Sequence, residues 1–211
     1  MELFVVEYEP GGRGCPPVLR GRLNHPWEWD EHDPDPSKFE ITHNYVYESK
    51  HAVVDFDYCT QQGVASRNFV DLCLAAGAKL RLVPVEIRQT NGQRTVKDYF
   101  YPLWANWLSI LDVDASDVEL ERQWPSGEPA IDRYFPDIQL YSAIRRFVAD
   151  LAKLGDERVF KCVDLGSKLV CTADFRADCE TAGLIGLRFT PLSTYQKTPI
   201  LEVFGEFGAG S

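Results

Sequence analysis

The chain has 211 residues, and its 32 acidic and 22 basic side chains give a formal net charge of −10. This charge argues against direct binding to nucleic acids or to anionic membranes, because both are negatively charged themselves. The apolar fraction of 45% and the aromatic fraction of 12% exclude an intrinsically disordered chain. At this length we expect one domain, or two closely packed halves, with a substantial core.

The first 50 residues are predicted to hold one strand and one acidic loop. The apolar run 3–8 favours a strand, and the glycines and prolines of 10–17 interrupt regular structure. Residues 24–40 are acidic, are broken by prolines and carry two tryptophans. They predict a surface loop that is pinned in place wherever its indole rings find pockets.

A short helix with defined ends is predicted next. The Ser66 hydroxyl can accept a hydrogen bond from a first-turn amide, and Gly77 can adopt the left-handed conformation that ends a helix. We expect a strand containing Pro84 to lie at a sheet edge or to carry a bulge, since proline has no amide hydrogen for a ladder. Strands are predicted at 51–57, 80–87 and 95–101.

The second half is predicted to begin with its longest helix. Apolar residues in 138–154 recur at helical spacing and form one stripe, with Gly155 as the stop. A second short helix is expected between a Thr172 cap and Gly183. Further strands are predicted at 158–163, 168–171, 186–192 and 199–204, followed by a flexible tail at 205–211.

Two stretches of the chain, 66–85 and 172–192, are nearly the same pattern. Each has Phe, then Cys four residues later, then Gly four residues after that, and then Pro beyond an Arg-bearing apolar run. Such a match indicates two copies of one structural unit. We therefore predict a single α+β domain with pseudo-two-fold symmetry, in which two similar strand–helix–strand units pack on a mixed or antiparallel sheet.

The sequence offers little that is typical of catalysis. No Cys-x-x-Cys pair or secretory signal is present, so the six cysteines are expected to be reduced, buried thiols in a cytoplasmic protein. We expect no catalytic residue, no metal site and no cofactor. One alternative is a small cytoplasmic hydrolase or transferase that pairs Cys59 or Cys171 with His43 or His51. Another is a scaffold or adaptor domain.

Binding of a basic protein is the chemistry that the charge pattern favours. Two short stretches, 28–40 and 112–121, concentrate acidic residues, and the first also has tryptophan nearby. Charge would steer the encounter and aromatic rings would anchor it. The predicted partner-binding residues are Trp27, Trp29, Asp30, Glu31, Asp33, Asp35, Asp112, Asp114, Asp117 and Glu119.

Residues 51–193 resemble a family of bacterial immunity proteins, the eleventh immunity family of polymorphic-toxin systems. The resemblance is carried by an apolar–Phe strand start at Val159-Phe160, by Ser167 and by a Phe-bearing helix. It is completed by Gly-Leu-x-Gly-Leu-x-Phe-x-Pro at 183–191 and by the aromatic stretch 99–112. The implied immunity domain is 51–204, preceded by a divergent segment, 1–50.

The resemblance implies a cytoplasmic, non-enzymatic antidote. Such a protein binds a cognate secreted antibacterial toxin, for example one delivered by a type VI secretion system, and blocks it in a tight complex. Toxins that attack nucleic acids expose basic clefts, so an acidic inhibitor would complement them. The expected partner is therefore a basic, nuclease-type protein.

Overall fold

The computed structural model describes residues 1–198, so the predicted strand at 199–204 and the tail at 205–211 lie outside the described residues. The described chain forms two α-helices, α1 (Arg67–Ala75) and α2 (Ala173–Thr181). It also forms thirteen strands: β1 Leu3–Tyr8, β2 Gly21–Leu23, β3 Tyr45–Ser49, β4 Tyr58–Cys59, β5 Val64–Ser66, β6 Leu80–Arg88, β7 Tyr99–Trp104, β8 Trp107–Leu108, β9 Asp117–Leu120, β10 Tyr141–Arg146, β11 Val159–Cys162, β12 Lys168–Thr172 and β13 Leu187–Pro191.

The strands form three sheets within one α+β domain. A six-stranded sheet has the order β2-β3-β6-β7-β5-β4, a five-stranded sheet has the order β13-β1-β12-β11-β8, and β9 pairs with β10 alone. Both larger sheets are mixed, because β3 runs parallel to β6 and β8 runs parallel to β11. Residues 1–50 supply β1 to one sheet and β2 and β3 to the other, so residue 50 marks no structural boundary.

The two predicted copies are present, and they share one topology. In the first unit, β5 and β6 flank β7 and both run antiparallel to it, with α1 between them in sequence. In the second unit, β12 and β13 flank β1 in the same way, with α2 between them. The middle strand of the first unit, β7, follows that unit in the chain, whereas the middle strand of the second unit, β1, precedes it. The second copy is therefore completed by a strand near the start of the sequence.

The two helices begin and end with the same pattern of hydrogen bonds. Ser66 and Thr172 each accept a hydrogen bond from the amide three residues on, at Phe69 and Phe175. Gly77 and Gly183 both have positive φ, of 89° and 66°. In each copy the glycine amide and the next amide then donate back to carbonyls of the last helical turn.

Removing the two caps gives a matched pair of stability predictions. Thr172→Ala is expected to lower the free energy of unfolding by ~1 kcal/mol, because one first-turn amide loses its acceptor. Ser66→Ala is expected to cost more, since the Ser66 hydroxyl also donates to Asp57 Oδ1 at 2.6 Å. Urea unfolding of both variants measures the difference, and equal losses would show that the Ser66–Asp57 bond contributes nothing.

The helices meet over a shared core. The rings of Phe69 and Phe175 lie edge to face with centroids 6.2 Å apart, and both side chains are fully buried. Cys73 and Cys179 belong to the same buried cluster, as do Phe4 and Trp104 from the two sheets. The repeated Phe and Cys positions are therefore the ones that join the two copies.

The predicted helix at 138–154 is wrong. This segment forms β10, which pairs with β9, and then a single 3-10 turn at Leu151–Lys153. The ladder between β9 and β10 shifts register twice, at Tyr141/Ala143 and at Ile144/Arg146. Each irregularity disturbs the two-residue alternation of a strand, so the buried positions fall at spacings that imitate a helix.

Other strand predictions need smaller corrections. Residues 51–57 form no strand, and 95–98 precede the observed β7. The strand with Pro84 is not at an edge, because β6 lies between β3 and β7, and neither of its two ladders has a bulge. The ladder with β3 starts at Val85, directly after the proline, so the missing amide hydrogen falls just outside that ladder.

Candidate partner-binding surface

The acidic loop is anchored by the two tryptophans that the sequence singled out. Their rings stack on each other with centroids 4.8 Å apart, and both rings contact Tyr45 and Tyr101 of the six-stranded sheet. Both indoles are half-buried, which leaves part of each ring at the surface. The loop is thereby fixed to the sheet as a rigid aromatic platform.

Glu28 fastens the base of this loop. Its carboxylate accepts hydrogen bonds from the Thr42 hydroxyl and amide, the Tyr45 hydroxyl and the His43 amide. These donors, the Thr42 hydroxyl first, lower the pKa of Glu28 far below its usual value. The loop therefore keeps this anchoring charge even in mildly acidic solution.

Asp30 and Glu31 lie beside the platform. Asp30 accepts from the Tyr134 hydroxyl at 2.7 Å and pairs with Arg133 at 3.2 Å. The hydrogen bond from Tyr134 is the main cause of a lowered Asp30 pKa. Glu31 accepts from the Tyr101 hydroxyl at 3.0 Å, yet its side chain remains 65% exposed. Glu31 is thus the acid of this pair that is free to meet a partner.

Asp33 and Asp35, the other two predicted binding acids of the first stretch, have different surroundings. Asp33 is buried and pairs with Lys38, so its carboxylate is not available to a partner at the surface. Asp35 is exposed and caps the 3-10 turn Pro36–Lys38 by accepting from the Ser37 amide. Hydrogen bonds from Ser37 lower the pKa of Asp35.

Two acids of the second stretch share one arginine as their partner. Asp117 and Glu119 of β9 both pair with Arg145 of β10, at 3.7 and 2.8 Å. Asp112 accepts from the Ala115 amide at 3.1 Å, and Asp114 is exposed in the turn that follows. The sequence could not show this pairing, because the strand that carries Arg145 was predicted as a helix.

An open cleft of about 650 Å³ lies against the platform. Its walls come from the acidic loop on one side and from the turn between β4 and β5 on the other. The lining residues are Trp27, Trp29, Asp30, Glu31, His32, Thr60, Gln61, Gln62, Gly63 and Tyr101. Four of the ten predicted residues therefore share one concavity.

A lysine missed by the sequence analysis lies next to this cleft. Lys161 of β11 lines a neighbouring cavity of about 50 Å³ together with Glu31 and Ser167. Within residues 1–198, no hydrogen bond or ion pair holds its ammonium group. Desolvation by burial lowers the Lys161 pKa to about 8. Nothing in the residues around position 161 of the sequence signals this, because the burial comes from distant segments.

This lowered pKa predicts that the contribution of Lys161 to stability rises with pH. Below about pH 8 the folded protein keeps a desolvated ammonium, whereas above it the folded state releases a proton that the unfolded chain retains up to about pH 10. The six buried thiols act in the opposite direction over the same range, because burial keeps them protonated in the folded state while unfolded thiols ionise. The effect of Lys161 is therefore measured as the difference between Lys161→Met and the unaltered protein. Lys161→Met should be more stable at pH 7 by ~1–2 kcal/mol, and this advantage should shrink from pH 8 to pH 10. An advantage that does not change with pH would contradict this account.

The cysteines do not support the thiol-based alternative. All six are free and buried, as predicted. Burial raises the pKa values of Cys59 and Cys171, which disfavours the reactive thiolate. The imidazoles of that alternative are bound elsewhere: His43 lies 2.7 Å from Glu28, and His51 contacts the Val18 carbonyl and the Arg20 amide.

No protein-family model matches the chain, and no curated protein shows significant similarity to it. The resemblance to the immunity family therefore rests on the residues quoted for it. Among the described residues, no helix is long and apolar enough to cross a membrane. In the same part of the chain, no group of three or more His, Cys, Asp and Glu side chains is placed to hold a metal ion.

Proposed function

We propose that this chain is a cytoplasmic immunity protein that binds and neutralises a cognate antibacterial toxin. The observation that carries the proposal is the rigid platform of Trp27 and Trp29 with the exposed Glu31 beside it in an open cleft. The partner is a basic protein of the nuclease type. The complex blocks the toxin by occupying its surface, without chemistry on the toxin.

The platform has the properties of a binding hot spot. Tryptophan and tyrosine contribute large contact areas at a small cost in conformational entropy. Here their rings are already fixed by mutual stacking and by the sheet beneath, so association would not need to order them. A preorganised apolar surface with an acidic rim fits a basic partner better than a neutral one.

Electrostatics supports the same partner. The chain carries a net charge of −10, and Glu31, Asp35 and Glu40 of the acidic loop are exposed. Opposite charge on a partner accelerates the encounter by long-range attraction, which salt screens within about 8–10 Å. An acidic protein is thereby suited to intercept a basic toxin before the toxin reaches nucleic acid.

Co-expression with the product of the adjacent gene tests this function, because antidotes are normally encoded beside their toxins. We expect the neighbouring protein to stop growth of a host when it is produced alone. Growth should return when this chain is produced with it, and the two proteins should co-purify. If the neighbouring protein stays toxic in the presence of this chain and the two do not co-purify, the proposal is contradicted.

A further inference from the structure

Lys161 occupies a position that does not favour a charge. The cavity of about 50 Å³ beside it lies between the two larger sheets, because Tyr58 and Trp104 line it from one sheet and Lys161 from the other. Within residues 1–198 the ammonium group has no hydrogen-bond or ion-pair partner, although Glu31 lines the same cavity. An ammonium that is drawn out of water without a partner costs stability, and such groups cluster at functional sites. A function of the amine would explain why this cost is kept.

The small cavity adjoins the open cleft. The two spaces share four lining residues, which are Glu31, Thr60, Gly63 and Tyr101. The acidic loop is fixed beside the cavity by His32, whose Nδ1 donates to Ser167 Oγ at 3.1 Å while that hydroxyl donates to the Gly166 carbonyl. Lys161 is half-buried, so a small molecule can reach its side chain from the cleft.

The groups around Lys161 restrict what can bind there. Burial raises the pKa values of Tyr58 and Tyr101, so both are neutral hydroxyls at pH 7. The titratable groups that face Lys161 are Glu31 and Asp33 of the acidic loop, Tyr58 of β4, Tyr101 of β7 and Lys168 of β12. Asp33 is already paired with Lys38. A ligand in the cavity therefore meets the carboxylate of Glu31, which disfavours an anionic ligand.

We propose that Lys161 is a covalent binding site for short, uncharged aldehydes, and that this site is independent of toxin binding. In its amine form, Nζ attacks the carbonyl carbon of the aldehyde, and one proton moves from nitrogen to oxygen to give a carbinolamine. The carbinolamine then loses its hydroxyl group and the second nitrogen proton as water, which leaves an imine. Amine plus aldehyde gives imine plus water, so the step needs no further reactant and is reversible.

Desolvation supports this chemistry, because the nucleophile is the amine and not the ammonium. Burial lowers the Lys161 pKa to about 8, so about one tenth of this side chain is an amine at pH 7. For an ordinary lysine the corresponding fraction is below about one in a thousand. Lys161 should therefore react with aldehydes faster than lysines at the surface.

The volume of the cavity limits the size of the aldehyde. In other proteins a cavity of about 150 Å³ holds a benzene ring. The space beside Lys161, of about 50 Å³, is much smaller and suits a carbonyl group with one or two further carbon atoms. Acetaldehyde therefore fits this site, whereas benzaldehyde does not. Glyoxylate has a suitable size, but its carboxylate would lie near Glu31.

Brief reductive trapping of the intact protein at pH 7 tests the site. Cyanoborohydride reduces the imine with acetaldehyde to N-ethyl-lysine, and peptide mass spectrometry gives the rate at each lysine. We expect Lys161 to be modified at least about 10-fold faster than the exposed Lys50. Lys161→Met should lose the fast site and remain folded, since it is expected to be the more stable protein. Lys50→Arg should keep the fast site.

The proposal is overturned if Lys161 is modified no faster than Lys50. With glyoxylate and with benzaldehyde, the preference for Lys161 over Lys50 should be lost. The same preference for glyoxylate would overturn the assignment to uncharged aldehydes, and the same preference for benzaldehyde would overturn the assigned cavity. Toxin neutralisation does not use the amine, so each of these failures leaves the proposed function intact.

Discussion

Replacement of Asp57 by Ala is expected to destabilise the protein by ~3–5 kcal/mol, the cost of breaking a buried ion pair by removing one partner. The Asp57 side chain is only 2% exposed, and its carboxylate accepts from Ser66 Oγ, Lys97 Nζ and the Ile185 amide. Its backbone amide donates to the Ile185 carbonyl, and its backbone carbonyl accepts from the Ser66 amide. One residue thus ties the start of α1 to the loop that follows α2, and its loss should loosen both repeat units together.

Asp71→Ala is the matched control for this experiment. Asp71 is also an aspartate paired with a cation, Arg67, but its side chain is 58% exposed. Its removal should change the free energy of unfolding by less than about 0.5 kcal/mol. Guanidinium chloride unfolding gives both values. Similar losses for the two variants would show that Asp57 is not the link between the two copies.

The second large effect is expected in toxin association. Changing Glu31 and Asp35 to Lys should slow association with the adjacent gene's product by about 10–100-fold at low salt, because attraction becomes repulsion at the acidic loop. Stopped-flow or surface plasmon resonance measures the rate. Added salt should slow association of the unaltered protein and should shrink the difference between the two, since surface charges are screened.

A double change elsewhere separates local charge from net charge. Glu9→Lys with Asp98→Lys makes the same change in net charge at exposed positions outside the acidic loop. Association of this control should slow only modestly. If both double variants associate equally slowly, the acidic loop is not at the interface and only total charge matters.

The repeat could be predicted from sequence because its signals are local. Caps such as Ser66 and Thr172, and stops such as Gly77 and Gly183, act within one turn of their helices, and the structure confirms all four. The helix prediction for 138–154 was wrong for a physical reason as well. Two irregularities in the β9–β10 ladder produced helix-like spacing, which periodicity alone could not distinguish from a helix.

The candidate site was only partly accessible to sequence reasoning. Trp27 and Glu31 drew attention by residue type, and both lie at the cleft. Burial of Asp33 depends on Lys38 and on the packing of the loop, which composition does not reveal. The contact between Ser167 and His32 spans 135 positions and exists only because the acidic loop packs beside the turn before β12. No spacing rule connects such distant positions.

Titration calorimetry with the purified product of the adjacent gene tests the central claim most directly. The account predicts a saturable complex with a dissociation constant in the nanomolar range, about −12 kcal/mol of binding free energy at 1 nM. It also predicts that the Glu31→Lys/Asp35→Lys variant binds more weakly than the Glu9→Lys/Asp98→Lys variant. Absence of binding heat, together with no complex in gel filtration at micromolar concentration, would contradict it.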